Sequence, residues 1–214
     1  MLHIQSFTFG PFQENTYLLY DDSKEAILID PGCSGAEEEL ELFQFITKHE
    51  LKLVKLVNTH CHIDHVMGWE FVENTWGLQP YFHPKDAVLL ERVSQQAKQF
   101  GLEFKDFPKN YGQAITEAET LNFGNTSLDI FFCPGHAPGH LIFHHPESNQ
   151  CIVGDVIFRQ SVGRTDLPFC NSDDLVNSIQ NIVYKLPDET VLYSGHGPKT
   201  TVGFEKLNNP FVRV

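Results

Sequence analysis

The sequence predicts a mixed α/β protein in which two sheets lie between helices. Apolar strand patterns alternate with amphipathic helix patterns along the 214-residue chain. The second half repeats the order of strands followed by a helix that the first half shows. Two sheets sandwiched between helices fit both observations, because every strand and helix can then bury its apolar side.

Strand patterns open the first half of the chain. They are predicted at about 2–9, 16–20 and 25–29, where the turn Asp30-Pro31-Gly32 ends the third strand. A helix is then expected at 35–49 and a further buried strand at 53–57. Two more helices are expected at 66–72 and 84–100.

Four strands and one long helix account for most of the second half. The strands are predicted at 127–133, 141–145, 150–154 and 190–194. The helix is predicted over 172–186, because apolar residues recur there at helical spacing and form a stripe that should pack in the core. The stripe consists of Leu175, Ile179, Ile182, Val183 and Leu186.

Residues 60–65 carry four side chains of the metal-ligand type. They follow a buried strand, and His60 and His62 can point to the same side of an extended chain. Asp64 and His65 then lead into the next predicted helix, so imidazole and carboxylate groups converge. Such donors suit zinc, and also iron or manganese, and the chain has no closely spaced cysteine tetrad of the structural zinc type.

Three more candidate ligands follow later strands. His136 lies in a Pro-Gly-His-Ala-Pro-Gly-His segment, Asp155 follows Gly154, and His196 follows Gly195. Each alone would also fit an ordinary turn. Together with residues 60–65 they repeat one pattern of strand, small residue and ligand, and strand ends can present side chains to a shared site.

Composition favours one domain over residues 1–214, with two small domains as the alternative. The chain is 41% hydrophobic, which suffices for a full core, and it has no linker-like spacer or repeat. A formal charge of −13 argues against nucleic-acid partners, whose binding rests largely on Lys and Arg. No signal-like N-terminus or membrane-length apolar run is present, so we expect a soluble, cytoplasmic protein without membrane contact.

Cysteine usage points to the same compartment. The five cysteines are odd in number and scattered, which is typical of reduced thiols rather than a secreted disulfide framework. Cys61 lies between two alternating candidate ligands, so we expect it to pack or to support the ligands rather than to bind metal.

These motifs resemble those of the metallo-β-lactamase superfamily, and within it the short, single-domain hydrolases similar to glyoxalase II. The resemblance covers nearly the whole chain and implies a four-layer αββα sandwich. It also implies two metal ions at one edge of the paired sheets, with zinc as the expected metal and iron or manganese as the alternatives. It rests on His60-x-His62-x-Asp64-His65, on residues 134–140, on Gly154-Asp155 and on Gly195-His196-Gly197-Pro198, in family order. It implies that His60, His62 and His136 hold the first metal, that Asp64, His65 and His196 hold the second, and that Asp155 bridges them.

The metals imply a chemistry. A bound metal lowers the pKa of water from about 15.7 to near 7, which supplies a hydroxide nucleophile, and a second metal polarises the carbonyl. A thioester suits this site because its thiolate leaving group, with a pKa near 8.5, needs little protonation.

Asp64 is the candidate for orienting the hydroxide in addition to binding metal. Arg164 is the candidate for binding a substrate carboxylate, and a salt bridge with Asp166 is the alternative.

The sequence therefore predicts a metal-dependent hydrolase of a small thioester or ester, similar to hydroxyacylglutathione hydrolase. Recognition of glutathione is left open, because longer glyoxalase II enzymes use an additional helical domain and only eighteen residues follow His196 here. One alternative is an iron-dependent persulfide dioxygenase, which would use only His60, His136 and Asp155. A metal-binding interaction module without turnover is the other.

Overall fold

The chain divides into two units by its internal contacts. Residues 1–115 with 122–126 form the first unit, and residues 116–121 with 127–214 form the second. The computed structural model describes residues 1–102, 104, 106, 107 and 111–214. The single domain expected over 1–214 stays a prediction. All five cysteines are free, as predicted, and no helix of the described residues is both long and apolar enough to cross a membrane.

A six-stranded sheet forms the basis of the first unit. The strands follow each other in chain order across the sheet, with antiparallel pairing up to the third strand and parallel pairing beyond it. They are β1 (His3–Phe9), β2 (Glu14–Tyr20), β3 (Glu25–Ile29), β4 (Lys52–Val57), β5 (Pro80–Phe82) and β6 (Gln113–Ala114). The helices of this unit are α1 (Ala36–Lys48), α2 (Trp69–Trp76) and α3 (Ala87–Gln99).

The parallel pair of β3 and β4 determines where the candidate ligands of the first unit lie. Ala26 to Ile29 of β3 are fully buried, as is usual for a central parallel strand. Parallel strands end at the same edge of a sheet, so Asp30 after β3 comes next to the end of β4. The backbone N–H of Asp30 accordingly donates to the carbonyl of Val57 at 3.1 Å.

A second six-stranded sheet, in the order β14-β13-β10-β9-β8-β7, forms the basis of the second unit. Its strands are β7 (Thr120–Phe123), β8 (Thr126–Phe132), β9 (Leu141–His145), β10 (Gln150–Gly154), β13 (Val191–Ser194) and β14 (Thr200–Thr201). A small hairpin of β11 (Ile157–Phe158) and β12 (Ser161–Val162) lies between β10 and helix α4 (Ser172–Asn181) in the chain, and α5 (Val202–Asn208) follows β14. The mixed α/β content agrees with the predicted fold class.

Helix α4 buries the predicted apolar stripe but ends earlier than predicted. Its first turn is capped by the side chain of Asn171, which accepts hydrogen bonds from two backbone N–H groups. Ile182 leaves the helical conformation, with φ −122°, and a 3₁₀ turn over Val183–Lys185 replaces the last predicted turn. Leu175, Ile179 and Val183 nevertheless pack in one buried cluster with the sheet residue Leu192.

The helix predicted over 66–72 begins later. Ile63–His65 form a 3₁₀ turn, and α2 begins only at Trp69. The backbone N–H of Gly68 donates to the carbonyl of Pro31 at 2.8 Å. A hydrogen bond to the turn after β3 therefore fixes the segment before α2, where a helical hydrogen bond was expected. His65 therefore lies in a turn that the rest of the fold holds, and not in the first turn of a helix.

Candidate metal centre

The first unit places His60, His62, Asp64 and His65 in one loop between β4 and α2. The backbone is extended at His62 and then enters the 3₁₀ turn that carries Asp64 and His65. The ring centroids of His60 and His62 are 4.8 Å apart, and those of His60 and His65 are 4.1 Å apart. His60 and His65 are fully buried and His62 nearly so. The predicted cluster of side chains on this loop is therefore present in the structure.

Asp30 is a carboxylate that the sequence analysis treated only as a turn residue. One ligand-type atom of each of Asp30, His60 and His65 lies within 4.8 Å of the others. Its Oδ1 accepts a hydrogen bond from the backbone N–H of Thr59 at 2.7 Å, and its Oδ2 accepts one from the Thr59 hydroxyl at 2.5 Å. Oδ2 also lies 3.1 Å from Nδ1 of His65. The sequence signal that could have indicated its contact with the histidines was its position directly after β3, the strand that pairs with β4.

The contacts of Asp30 determine which ring nitrogen of two histidines carries the proton. The single hydroxyl hydrogen of Thr59 goes to Asp30, so the Thr59 oxygen accepts from Nδ1 of His60 at 3.0 Å. Nδ1 of His65 donates to Asp30 directly. In both rings the proton is therefore on Nδ1 and the lone pair is on Nε2, which is the arrangement that a metal-binding imidazole needs.

Further buried groups hold this loop. Oδ2 of Asp86 accepts a hydrogen bond from the backbone N–H of Cys61 at 2.9 Å. The Asn58 side chain donates to the carbonyl of His65 at 2.7 Å and accepts from the indole N–H of Trp69 at 2.8 Å. The sequence analysis identified none of these contacts. They connect the loop to Asp86 and, through Asn58, to Trp69 at the start of α2.

A buried acid and a buried thiol border the same loop. Oε1 of Glu14 lies 3.8 Å from Nδ1 of His65, and burial raises the pKa of Glu14 well above its usual range. Burial also raises the pKa of the Cys61 thiol, and Cys61 is fully buried. A protonated thiol is a poor metal ligand and a poor nucleophile, so these properties agree with a packing role for Cys61.

The second unit brings His136, Asp155 and His196 together. Oδ2 of Asp155 lies 3.4 Å from Nε2 of His136 and 3.6 Å from Nε2 of His196. Nδ1 of His136 donates to the backbone carbonyl of Arg164 at 2.8 Å, so its lone pair is again on Nε2. Nε2 of His140 accepts from the backbone N–H of Asp155 at 3.1 Å. One carboxylate oxygen thus faces two imidazole nitrogens, and the donor types fit a divalent transition metal.

Two glycines allow the backbone of the second unit to approach these ligands. A Cβ on Gly163 would lie 1.9 Å from the carbonyl oxygen of Asp155 and 3.0 Å from Cβ of His136. Gly135 has φ 137°, and a Cβ there would lie 2.3 Å from the backbone nitrogen of Leu175. Any side chain at either position would therefore displace the segment that carries a candidate ligand.

Arg164 contributes its backbone to this group, while its side chain faces an acid. Its guanidinium forms two hydrogen bonds with the Asp166 carboxylate, at 2.7 and 2.9 Å. This pairing raises the pKa of Arg164 and lowers the pKa of Asp166. Both side chains are largely exposed. The salt bridge that the sequence analysis kept as an alternative is thus present, and substrate binding by Arg164 stays a prediction.

Cys170 is a further neighbour that the sequence analysis missed. Its thiol donates to the carbonyl of His136 at 2.8 Å, and burial raises its pKa. This contact restrains the backbone of His136, while the hydrogen bond from Nδ1 to the Arg164 carbonyl restrains its ring.

Comparison with known proteins agrees with this arrangement of motifs. The metallo-beta-lactamase superfamily matches residues 9–196. Hydroxyacylglutathione hydrolase GloC of Haemophilus influenzae is 36% identical over 214 residues, which cover 99% of this chain and 98% of that protein. The solved structure of the B3 metallo-beta-lactamase BLEG-1 has a TM-score of 0.88 and 32% identity over 99% of both chains. TTHA1623, solved in a di-iron-bound form, has a TM-score of 0.85 and 36% identity over 97% of this chain and all of its own.

These similarities extend over almost the full chain and confirm the predicted fold class. The chain belongs to the metallo-β-lactamase superfamily.

Proposed function

We propose that this protein is a metal-dependent hydrolase that uses two metal ions to cleave a small thioester or ester. One observation carries the proposal: His60, His65 and His136 are buried, and each donates its Nδ1 proton to an oxygen atom. Such hydrogen bonds prepare Nε2 for a metal in advance. In all three rings the atom that faces away from the hydrogen bond is the same one, Nε2.

The proposed ligands are the seven residues of the family motifs. His60, His62 and His136 would hold one metal, Asp64, His65 and His196 would hold the other, and Asp155 would bridge them. The 3.4 and 3.6 Å distances from Oδ2 of Asp155 to two imidazoles support its role as the bridge. We propose zinc as the metal, and the di-iron form of TTHA1623 makes iron the alternative.

The residues of the chain have definable tasks in such a reaction. Bound metals would lower the pKa of a coordinated water and polarise the scissile carbonyl. Asp30 and the Arg164 carbonyl orient the imidazoles, and Asp64 would hold a proton of the attacking water in addition to binding metal. The similarity to GloC, named a hydroxyacylglutathione hydrolase, supports a thioester as the substrate. A thiolate leaves with little protonation, so cleavage of a thioester needs no general acid from the protein.

Arg164 would bind an anionic end of the substrate only by exchanging its partner. The substrate carboxylate would have to replace Asp166, which holds the guanidinium by two hydrogen bonds. Exposed ion pairs of this kind contribute only about 0–1 kcal/mol, so the exchange is energetically accessible.

Elemental analysis followed by a substrate panel tests the proposal. Protein purified without added metal should contain close to two zinc ions per chain and should hydrolyse thioesters in preference to lactones and phosphodiesters. Asp155→Asn should lose metal and activity, while Asp173→Asn, which removes one exposed charge on α4, should keep both. Oxygen consumption with a persulfide substrate and one iron per chain would instead identify a dioxygenase. Absence of metal together with absence of turnover would refute the proposal.

A further inference from the structure

The second unit carries a cleft that lies outside the proposed ligand set. Its volume is about 290 Å³, close to the lower limit of about 300 Å³ for small-molecule sites, so it fits a small molecule or one end of a larger one. The hairpin turn after β11, strands β13 and β14, and helix α5 contribute its walls. The lining residues are Arg159, Val191, Lys199, Thr200, Thr201 and Phe204.

Aromatic rings, and not carboxylates, hold both cations of this cleft. The guanidinium carbon of Arg159 lies 4.5 Å from the ring centroid of Phe204. The ammonium of Lys199 lies 5.7 Å from the ring centroid of Tyr193. A ring face attracts a cation without cancelling its charge. Both cations therefore have a defined position and keep their capacity to bind an anion.

Carboxylates hold several other cations of this chain, which has 28 acidic and 15 basic residues. Lys52 pairs with Glu25, Arg164 with Asp166 and Lys206 with Asp188, each at 3.1 Å or less. Within the described part of the chain, neither cation of the cleft forms an ion pair. Both cations line one concave surface of a protein whose net charge is −13, so an anionic ligand would meet two positive side chains there.

A buried acid beneath the cleft is engaged in holding its walls together. Oε1 of Glu205 accepts a hydrogen bond from the Thr200 hydroxyl at 2.5 Å. Its Oε2 accepts from the backbone N–H of Gln160 at 2.9 Å and from Nδ2 of Asn209 at 2.9 Å. Glu205 thereby ties the hairpin turn that carries Arg159 to the strand that follows Lys199. The cleft is thus shaped before any ligand enters, which lowers the entropic cost of binding.

The cleft lies close in the chain to two proposed metal ligands. Arg159 is four residues after Asp155, and Lys199 is three residues after His196. At no more than about 3.6 Å per residue, the Cα atoms of these pairs are separated by at most about 14 and 11 Å. The ring of Phe158, next to Arg159, lies 6.1 Å from the ring of His196. A molecule about 10 Å long could therefore place one end near His196 and the other in the cleft.

We propose that Arg159 and Lys199 bind a carboxylate at the end of the thiol half of the substrate. This inference rests on the proposed function, because it assigns the acyl carbonyl to the metal centre. The substrate class is then a thioester of a thiol whose chain ends in a carboxylate. Arg159 offers two parallel N–H donors to that carboxylate, and Lys199 adds a second positive charge.

Direct binding tests the cleft without any turnover. Adipate is titrated calorimetrically into the metal-loaded wild type, into Arg159→Gln/Lys199→Gln and into the control Lys185→Gln/Arg213→Gln, whose exposed cations belong to the same unit. Adipate affinity should fall at least tenfold in the cleft variant and stay within about twofold in the control. It should also weaken as ionic strength rises. Equal affinity in the wild type and the cleft variant, or no binding to the wild type, would overturn the inference.

A kinetic comparison separates this inference from the proposed function. Hydrolysis of S-acetyl 6-mercaptohexanoate is compared with hydrolysis of its neutral amide, and metal content is measured in every variant. The ratio of kcat/KM for the charged substrate to that for the neutral one should fall at least tenfold in the cleft variant. An unchanged ratio with active enzyme would reject the cleft and leave the proposed function standing. Failure of the wild type to hydrolyse any thioester or ester would reject the proposed function, while the adipate titration would still decide on the cleft.

Discussion

Replacing Asp30 by asparagine tests whether this buried carboxylate sets the metal-binding form of two histidines. Asp30 accepts hydrogen bonds from the N–H and hydroxyl of Thr59 and from Nδ1 of His65. Its φ is 51°, a left-handed conformation that asparagine tolerates better than most residues. Asp30→Asn therefore changes charge and hydrogen bonding while the shape of the chain is kept.

The size of the effect follows from the donors around Asp30. If the new Nδ2 faces the N–H of Thr59, two donors meet and one buried hydrogen bond is lost, which costs about 1–3 kcal/mol of unfolding free energy. If Nδ2 instead takes the place of Oδ2, His65 must present a lone pair at Nδ1 and carry its proton on Nε2, the proposed ligand atom. We therefore expect metal affinity to fall about 10- to 100-fold, and each factor of ten corresponds to about 1.4 kcal/mol.

Competition with a chromophoric chelator measures metal affinity in this variant, and urea denaturation measures its stability. Asp173→Asn is the matched control, because it removes the same charge from an exposed position in α4. Wild-type metal affinity in Asp30→Asn, with wild-type stability, would refute the argument that Asp30 controls the imidazole protons. A loss of stability with unchanged metal affinity would limit Asp30 to a structural role.

Four further outcomes are expected. Asp155→Ala should lower occupancy of both metals by elemental analysis and abolish hydrolysis, and unchanged metal content would contradict its role as a bridge. Cys61→Ser should keep a sizeable part of the rate, because burial raises the pKa of this thiol and keeps it protonated, and a trapped Cys61 acyl-enzyme would argue the opposite. Arg164→Ala should raise KM for carboxylated substrates by a factor equivalent to at most about 1 kcal/mol, because the pair is exposed. A lower melting temperature without a kinetic change would show that Arg164 only forms its salt bridge with Asp166. The rate should rise with pH through one ionisation near 7, and a bell-shaped profile set by two protein groups would speak against this mechanism.

Local patterns in the sequence were sufficient for several of the strands. The strands β3, β9 and β10 lie at the predicted 25–29, 141–145 and 150–154, because runs of apolar residues bounded by turns are strong strand signals. Strands of two or three residues such as β5 and β14 show no periodicity of their own. They exist because a neighbouring strand offers hydrogen bonds, as when Leu192 of β13 pairs with Thr200.

The sequence by itself determined the types and the order of the candidate ligands, since His60, His62, Asp64 and His65 are adjacent in the chain and later ligands follow recognisable turns. Only the tertiary structure decided which ring nitrogen of His60 and His65 carries the proton. Asp30 acts on Thr59 and His65 from 29 and 35 residues away. That contact depends on the parallel pairing of β3 with β4, and no local pattern can report which polar groups two distant strands bring to the same sheet edge.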